Sequence, residues 1–233
     1  GYTDTRFVVN PDLTVKVTGN RYAVSGYDMP GFIPFLEDVL QVKFDPNDTK
    51  PERMDKPVPP PVVNDPFCAA LAAAFPASRY TSDNRERLLH SHGQTTVDEV
   101  YQVLYTHLDR VADLVFYPES QDDAVRLIEL AQSHDACLVP YGGGTSVSCA
   151  LKLPAAESRM IVSVDMRRMD AIEWIDRENM RASVQAGILG SHLEERLAAE
   201  GFTCGHEPDS VELSTLGGWI ATNASGMKKN RYG

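Results

Sequence analysis

The sequence predicts a mixed α/β or α+β fold, in which a domain of alternating elements follows a small, mainly helical region. Two patterns lead to this prediction. Apolar residues in the first 110 positions recur mostly at helical spacing, around long connections. From about Leu114 onward, short apolar runs alternate with helical segments. The composition, 42% hydrophobic and 24% charged, is that of an ordinary globular protein and does not suggest a disordered or fibrous chain.

The first region, residues 1–110, contains three predicted helices and a proline-rich connection. Helical spacing marks "PGFIPFLEDVLQV" (residues 30–42) and a stretch from Val97 to Val111. "DPFCAALAAAF" (residues 65–75) opens with Asp then Pro, the favoured order at a helix start. The connection between the first two helices is rich in proline and charge, which predicts an extended segment. No strand signal is strong in this region.

The second region, residues 111–233, begins with a predicted strand at "DLVFYP" and a helix from Ser120, where Asp123 completes a pattern like a capping box. "CLVP" and "RMIVSVDM" predict two more strands, and "AIEWID" and "RASVQAGI" predict a strand pair joined by the polar turn "RENM". "GSHLEERLAAEG" predicts a helix that Gly201 closes.

Charge and cysteine content exclude several classes. The net charge of -11 argues against a nucleic-acid partner, whose footprint is a basic face. No apolar run approaches the length of a membrane span. The cysteines form no CxxC pair, so we expect free thiols and no metal centre; they are Cys68, Cys137, Cys149 and Cys204. Because the chain starts at Gly1 without Met and stops within "KKNRYG", we expect it to be part of a longer protein.

The most informative short stretch is "CLVPYGGGTSVSCA" (residues 137–150), a run of three glycines after an apolar strand. Consecutive glycines let backbone N–H groups approach a ligand, and Thr145, Ser146 and Ser148 add donors. The pattern therefore favours an anion cradle, and the alternative is a plain glycine-rich turn.

Three familiar glycine motifs do not fit this stretch. Counting from Gly142, the dinucleotide pattern G-x-G-x-x-G reaches Gly144 and then fails at Val147. A Walker A loop requires lysine, which is absent, and the hydrolase pattern G-x-S-x-G is absent too.

A second motif, "GHEPDSVELSTLGGWIATNASGMKKN", covers residues 205–230. Gly217 and Gly218 would allow a flat ligand to approach the backbone closely. Hydroxyl groups that could bond the polar edge of such a ligand belong to Ser214, Thr215, Thr222 and Ser225. The alternative is a polar loop followed by a helix of small residues packed on a neighbour.

Together, "PYGGGTSVSCAL" and "GHEPDSVELSTLGGWIATNASGMKKNRYG" resemble the alkylglycerone-phosphate (alkyl-dihydroxyacetone-phosphate) synthase family, of the vanillyl-alcohol-oxidase group of flavoproteins. The first motif alone indicates only the group, and the second singles out the synthases. "GYTDTRF" and "RLLHSHGQT" extend the likeness more loosely. The resemblance implies a PCMH-type FAD-binding domain of two α+β subdomains with FAD between them, here truncated at its C-terminal end.

The resemblance also assigns residues to the cofactor. The FAD pyrophosphate would lie against Pro140, Tyr141, Gly142, Gly143, Gly144, Thr145 and Ser146. The ribityl chain and flavin ring would lie against Asp209, Ser210, Val211, Glu212, Leu213, Ser214, Thr215, Thr222, Asn223, Ala224 and Ser225. Some relatives attach FAD through a histidine where Thr145 stands, so we expect non-covalent FAD. Asn223 stands where synthases of the mammalian type have arginine, so it would polarise the flavin less strongly.

The implied activity is an alkyl transfer without net redox change. Similar enzymes replace the acyl chain of acyl-dihydroxyacetone phosphate with a long-chain fatty alcohol, in ether-lipid (plasmalogen) synthesis. The resemblance further implies a homodimer, peripheral membrane association, and the lumenal membrane face of the peroxisome or glycosome. The family's acid/base cluster has no counterpart in this chain, so we expect these residues alone to bind FAD poorly and to be inactive.

Two other functions remain open from the sequence. One is an FAD-dependent 2-hydroxy-acid oxidase or dehydrogenase of the same fold, and the other is a non-catalytic binding module, if the chain is complete. Isolated residues carry weaker hypotheses. His206 would face the flavin or stabilise its loop, and Lys228 and Lys229 would meet phosphate or solvent. For His90 and His92 a structural or surface role is expected.

Overall fold

The structure, a computed structural model, describes residues 5–20, 24–45, 47 and 57–232. The chain divides into two compact units, residues 1–54 and residues 55–233. This boundary differs from the sequence-based boundary between residues 110 and 111. The buried polar groups that tie residues 57–110 to the later part of the chain explain the difference, and they are described below.

In the first unit, three short antiparallel strands precede a helix. Strands β1 (Phe7–Val9), β2 (Val15–Val17) and β3 (Asp28–Met29) pair in the order β1-β2-β3. Helix α1 (Phe32–Leu40) follows and confirms the helix predicted within residues 30–42. The strands were not predicted, because runs of two or three residues are too short to show alternation. The buried apolar side chains of this unit are Val15, Val17 and Ile33.

A four-stranded sheet forms the centre of the second unit. Its strands are β4 (Tyr80–Thr81), β5 (Leu114–Phe116), β6 (Cys137–Tyr141) and β7 (Ile161–Asp165), in the order β4-β5-β7-β6. β5, β7 and β6 are parallel, and β4 is antiparallel to β5. The three parallel strands confirm the apolar runs predicted as strands. Their carboxyl ends therefore lie at one edge of the sheet, where ligands of such folds commonly bind.

Helices α2 (Asp65–Ala74) and α5 (Gln121–Ser133) pack together against this sheet, and both confirm predictions. Each has a side-chain cap: Asn64 and Ser120 accept hydrogen bonds from first-turn amides at 3.0 Å and 3.1 Å. The core that they share with the sheet includes Phe67, Leu71, Phe116, Leu127 and Val162.

Two further helices, α3 (Asn84–Leu89) and α4 (Val97–Tyr105), belong to the same unit as the sheet. α4 confirms the helix predicted from Val97, although it ends at Tyr105 rather than at Val111. Arg87 of α3 is fully buried. Its guanidinium donates hydrogen bonds to three acceptors at 2.7–2.8 Å, namely the carbonyl groups of Ala112 and Pro59 and the side chain of Asn84.

Asp113 explains why the end of the proline-rich connection, residues 57–63, belongs to this unit. Its buried carboxylate accepts hydrogen bonds from the amides of Val62 at 2.8 Å and Ile161 at 2.7 Å. Arg110 pairs with the same carboxylate at 2.5 Å. One charged group thus joins the proline-rich segment, the start of β7 and the chain before β5. The sequence boundary at 110/111 would cut through this cluster.

The remainder of the unit has its own core. β8 (Ile172–Asp176) and β9 (Arg181–Val184) form the predicted antiparallel pair. α6 (Gly190–Ala199) confirms the next predicted helix, and Gly201 follows it with φ +81°, the left-handed conformation of a helix C-cap. Two short helices, α7 (Leu216–Ala221) and α8 (Lys229–Tyr232), complete the chain. The buried residues of this second core are Ile188, Leu193, Leu197 and Trp219.

The longest helix in the described part of the chain, α5, has 13 residues. No helix there combines the length and apolar character that a membrane crossing requires. All four cysteines are free thiols. Across the described ranges, no group of three or more His, Cys, Asp or Glu side chains is arranged to hold a metal ion.

We expect Asp113→Asn to lower the free energy of unfolding by about 2–4 kcal/mol, because the amide leaves buried donors and Arg110 without a charged acceptor. Chemical denaturation followed by circular dichroism measures the change. Asp122→Asn is the matched control, since this carboxylate is exposed on α5, and it should change stability by less than about 0.5 kcal/mol. Equal effects of the two substitutions would contradict the role of Asp113.

Candidate functional site

The predicted cradle lies where β6 ends, at the carboxyl edge of the parallel strands. Residues 142–146 form an irregular loop directly after Tyr141, and Gly144 has φ +71°, a conformation that favours glycine. The loop is half-buried to buried as far as Ser146 and exposed from Val147 to Ala150. The glycine motif is therefore placed where a ligand of a parallel sheet is expected.

The structure brings this loop against the second sequence motif. A Cβ atom on Gly143 would overlap the carbonyl group of Leu213, and one on Gly142 would overlap the hydroxyl of Thr215. The backbone of the loop thus lies directly on the turn formed by residues 213–215. Both motifs were predicted to contact one cofactor, and the structure places the first part of the second motif beside the loop.

The hydroxyl groups of that turn already have partners in the protein. Ser214 is buried, and its Oγ accepts a hydrogen bond from the indole of Trp219 at 2.8 Å. Thr215 is buried too, and its Oγ1 caps α7 by accepting from the amide of Gly218 at 3.2 Å. Both side chains therefore fix the turn and its helix. A contact between either hydroxyl and a flavin stays a prediction.

Residues 209–212 form the exposed approach to the turn. Asp209 and Glu212 are exposed, whereas Ser210 and Val211 are half-buried. Ser210 has φ +58°, and its carbonyl accepts hydrogen bonds from the amides of Leu213 and Ser214 at 2.8 Å and 2.7 Å. This tight turn presents two carboxylates to solvent, and their predicted contact with the cofactor is untested.

The segment 222–225 is held by a different part of the second motif. Thr222 donates its hydroxyl to the carbonyl of Gly218 at 2.8 Å, and the carbonyl of Ala224 lies 3.0 Å from Nε2 of His206. Asn223 has φ +49° and is exposed, as is Ser225. The described contacts join this segment to residues near His206 rather than to the glycine loop.

Gly217 has a packing contact in the structure, whereas the close approach of a flat ligand considered for it stays a prediction. A Cβ atom there would meet Ala186 at 2.8 Å, so the small residue allows α7 to pack closely on the chain before α6. The amide of Gly217 also donates to the carbonyl of Ala186 at 2.8 Å. The alternative from the sequence, a helix of small residues packed on a neighbour, describes this part of the motif.

His206 and Lys228 also have local partners. Nε2 of His206 faces the Ala224 carbonyl, and its ring lies edge-on to Trp219 with centroids 5.8 Å apart. Lys228 pairs with Glu207 at 2.6 Å, and this hydrogen bond raises the pKa of the Lys228 amine. These contacts fit the loop-stabilising role considered for His206.

A cluster around a buried carboxylate, which the sequence analysis missed, supports the start of the loop. Nε2 of His90 lies 2.7 Å from the carboxylate of Asp165, and Arg167 pairs with the same carboxylate at 2.6 Å. The His90 ring is 4.4 Å from the ring of Tyr141, the last residue of β6. A structural or surface role was expected for His90, and its burial fits the structural alternative. One signal for the missed partner was available: Asp165 follows the apolar run of a predicted strand.

The pKa of Asp165 reflects two opposed causes. Burial would raise the pKa, but the hydrogen bonds from His90 and Arg167 outweigh burial and hold the pKa below its ordinary value of 3.8. The carboxylate is fully buried, so it stays charged because of these two partners. Its position beside Tyr141 in the strand ladder links this charge to the loop.

The donor set of the loop suits an anion such as a diphosphate. No described protein atom accepts a hydrogen bond from the amides of residues 143–147. Free backbone N–H groups on a glycine-containing loop form the nest type of anion site. The residues present therefore fit the group for which the cradle was predicted.

The FAD binding domain family matches residues 112–233. Over 233 residues, the chain is 42% identical to an alkyldihydroxyacetonephosphate synthase of Caenorhabditis elegans, and it covers 38% of that protein. It is 40% identical to the Trypanosoma brucei brucei enzyme over 217 residues, which are 90% of this chain and 35% of that protein. The chain thus spans less than half the length of these relatives.

A solved structure of an alkyldihydroxyacetonephosphate synthase superposes on the whole chain. The TM-score is 0.89 at 32% sequence identity, and the match covers 44% of that structure's chain. The superposed region includes the glycine loop, the turn at residues 213–215 and the helices that precede the family match.

We expect Asp165→Asn to destabilise the protein by about 2–4 kcal/mol at neutral pH. The lowered pKa means that the charged carboxylate contributes stability above its ordinary pKa of 3.8, and this contribution is lost as the pH falls through the lower folded-state value. The difference in unfolding free energy between wild type and variant should therefore shrink below about pH 4. Denaturation at pH 7, 5, 4 and 3 measures it. A constant difference would contradict this assignment.

Proposed function

Because the chain belongs to the FAD-binding domain family, we propose that it is part of an FAD-dependent alkyldihydroxyacetonephosphate synthase. Such an enzyme would exchange the acyl chain of acyl-dihydroxyacetone phosphate for a long-chain fatty alcohol. One observation carries the proposal, the 42% identity to a synthase across all 233 residues. The family match and the α+β architecture confirm the predicted FAD-binding fold.

The loop after β6 would hold the cofactor through its backbone. The amides of residues 143–147 would donate to the FAD pyrophosphate, because they have no described protein acceptor. Gly143 permits this by letting the loop lie on the Leu213 carbonyl. Thr145 has no nucleophilic ring nitrogen, so FAD would be bound non-covalently.

Bound FAD would supply a covalent handle for the substrate without net redox change. The chain's own residues would orient the cofactor and keep it in place. His206 and Lys228 are engaged by Ala224 and Glu207, so we assign neither of them a proton-transfer role. The resemblance implies an acid/base cluster for the family, and it assigns none of these groups to a residue between Gly1 and Gly233.

The cellular setting is also a proposal. By its resemblance to the synthases, the enzyme would lie at the lumenal membrane face of the peroxisome or glycosome, as a homodimer in peripheral contact with lipid. The resemblance to synthases supports this proposal. Sedimentation of the full-length protein with peroxisomal membranes, and its mass in solution, would test location and assembly separately.

The full-length natural protein tests the function directly. We expect a flavin absorption band that moves into the supernatant after acid precipitation, since the cofactor is non-covalent. The protein should then exchange labelled fatty alcohol into acyl-dihydroxyacetone phosphate. Absence of flavin from folded protein would reject the proposal. Reduction of the flavin by a 2-hydroxy acid, without alcohol exchange, would support the oxidase alternative instead.

Substitution of the loop glycines should give graded losses of FAD. Gly143→Ala places a methyl group against the backbone carbonyl of Leu213, so the loop and the turn must separate. Because this displaces the loop amides, we expect at least a tenfold weaker affinity for FAD. Gly142→Ala meets the side-chain hydroxyl of Thr215 rather than backbone atoms, so the loss should be smaller. Flavin fluorescence titration measures both affinities.

The control for these variants is Gly31→Ala. Its Cβ position has no atom within 4 Å, and its φ is -84°. FAD affinity should therefore equal that of wild type. We expect the loss of FAD affinity to be largest for Gly143→Ala, smaller for Gly142→Ala and absent for Gly31→Ala. An unchanged affinity in Gly143→Ala would contradict the proposal that the loop binds FAD.

A further inference from the structure

The glycine loop is bonded along one side by a segment that lies outside the family match. We call residues 93–96 the strap. The amide of Gln94 donates to the carbonyl of Gly144 at 2.6 Å. The hydroxyls of Thr95 and Thr96 donate to the next two carbonyls along the loop, each at 3.2 Å. Three consecutive strap residues thus bind three consecutive loop carbonyls.

These bonds determine where the loop amides point. In a planar trans peptide, the C=O of one residue and the N–H of the next point in opposite directions. Since the carbonyls of Gly144, Thr145 and Ser146 face the strap, the N–H groups of Thr145, Ser146 and Val147 face away from it. These are the amides that have no described protein acceptor. The strap therefore orients the donors of the cradle before any ligand binds.

The position of Thr96 shows that its hydroxyl serves the loop. Thr96 occupies the N-cap of α4, where a threonine side chain ordinarily accepts a hydrogen bond from a first-turn amide. Its side chain makes no such cap bond. The hydroxyl instead donates to the Ser146 carbonyl, so removing it would not cost α4 a cap.

The strap is anchored on its other side by a buried carboxylate. Oε1 of Glu99, on α4, accepts a hydrogen bond from the amide of Gly93 at 3.1 Å, and Glu99 is 2% exposed. A Cβ on Gly93 would stand 2.7 Å from the other carboxylate oxygen and 2.9 Å from the Ser146 carbonyl. Glycine is therefore required where the strap passes between Glu99 and the loop.

We propose that Thr95 and Thr96 are positioning residues for the FAD pyrophosphate, acting through the carbonyls of the glycine loop. The inference rests on the proposed function, because it takes FAD as the ligand. It adds a determinant of cofactor affinity from residues that precede the FAD-binding domain. The ligand chemistry that the strap serves is a diphosphate, which FAD shares with ADP.

The test compares wild type with two double variants of the full-length protein. Each protein is freed of FAD and then titrated with FAD and with ADP. Thr95→Val/Thr96→Val keeps the branched shape and removes both hydroxyls. We expect its Kd for FAD to rise about tenfold, since each lost hydrogen bond corresponds to a factor of roughly 2–10. The Kd for ADP should rise in parallel. Thr95→Ser/Thr96→Ser retains both donors and should restore wild-type affinity.

Thr106→Val is the matched control. Its hydroxyl donates to the Gln102 carbonyl at the other end of α4, at 3.3 Å. It should leave both affinities unchanged. Thermal melting of the FAD-free proteins separates positioning from stability, because a purely structural strap would lower the melting temperature while the folded protein bound FAD normally.

The outcomes separate this inference from the proposed function. Wild-type protein that binds no FAD would overturn both. Wild-type protein that binds FAD, together with a valine variant whose Kd for FAD lies within twofold of it, would overturn the strap inference alone. The positioning role of Thr95 and Thr96 would be established by a tenfold rise in the Kd for FAD in the valine variant. The serine variant should then bind FAD as wild type does, and Thr106→Val should show no such rise.

Discussion

The site depends on one steric constraint, the direct contact between the backbone of the glycine loop and the carbonyl of Leu213. No side chain fits at Gly143, because its Cβ would overlap that carbonyl. The loop follows a strand of the sheet, and the turn precedes α7 and its separate core. The contact therefore joins the two packed parts of the unit at the point where the cofactor is proposed to bind.

Buried charges hold the elements that make this contact possible. Asp113 gathers the proline-rich segment, Arg110 and the start of β7. Asp165, at the other end of β7, pairs with His90 and Arg167 beside the last residue of β6. Each carboxylate accepts hydrogen bonds from buried donors that would otherwise have no partner. A buried donor without a partner costs more free energy than an exposed ion pair contributes. The two ends of one central strand are thus fixed by charge.

Much of the fold followed from local signals. Ser120 and its first turn predicted the start of α5, Gly201 predicted the end of α6, and three apolar runs predicted the parallel strands. The glycine motif predicted the loop, and the resemblance of both motifs together to the synthase family linked them to one cofactor. These features are readable because each depends on a few neighbouring residues.

What the sequence could not show depends on pairings between distant residues. The two-residue strand β4 and the strands of the first unit are too short to carry an alternating pattern. The bonds from Thr95 and Thr96 to the loop cross 50 positions, and no local pattern indicates where a threonine hydroxyl will donate. The unit boundary at residues 54/55 differs from the predicted boundary at 110/111 for the same reason. Arg87 and Asp113 bind partners that are distant in the sequence.

The distance along the chain between the parts of the cradle has a consequence for synthesis of the protein. The strap begins at Gly93, the loop follows near Gly144, and the supporting turn ends at Thr215. A ribosome makes the chain from its N-terminus, so the strap and loop can pair well before the turn exists. The cradle becomes complete only when Thr215 has left the exit tunnel. A nascent chain that has not yet exposed residues 213–215 lacks the turn on which Gly143 packs, so the glycine loop has no support on that side until then.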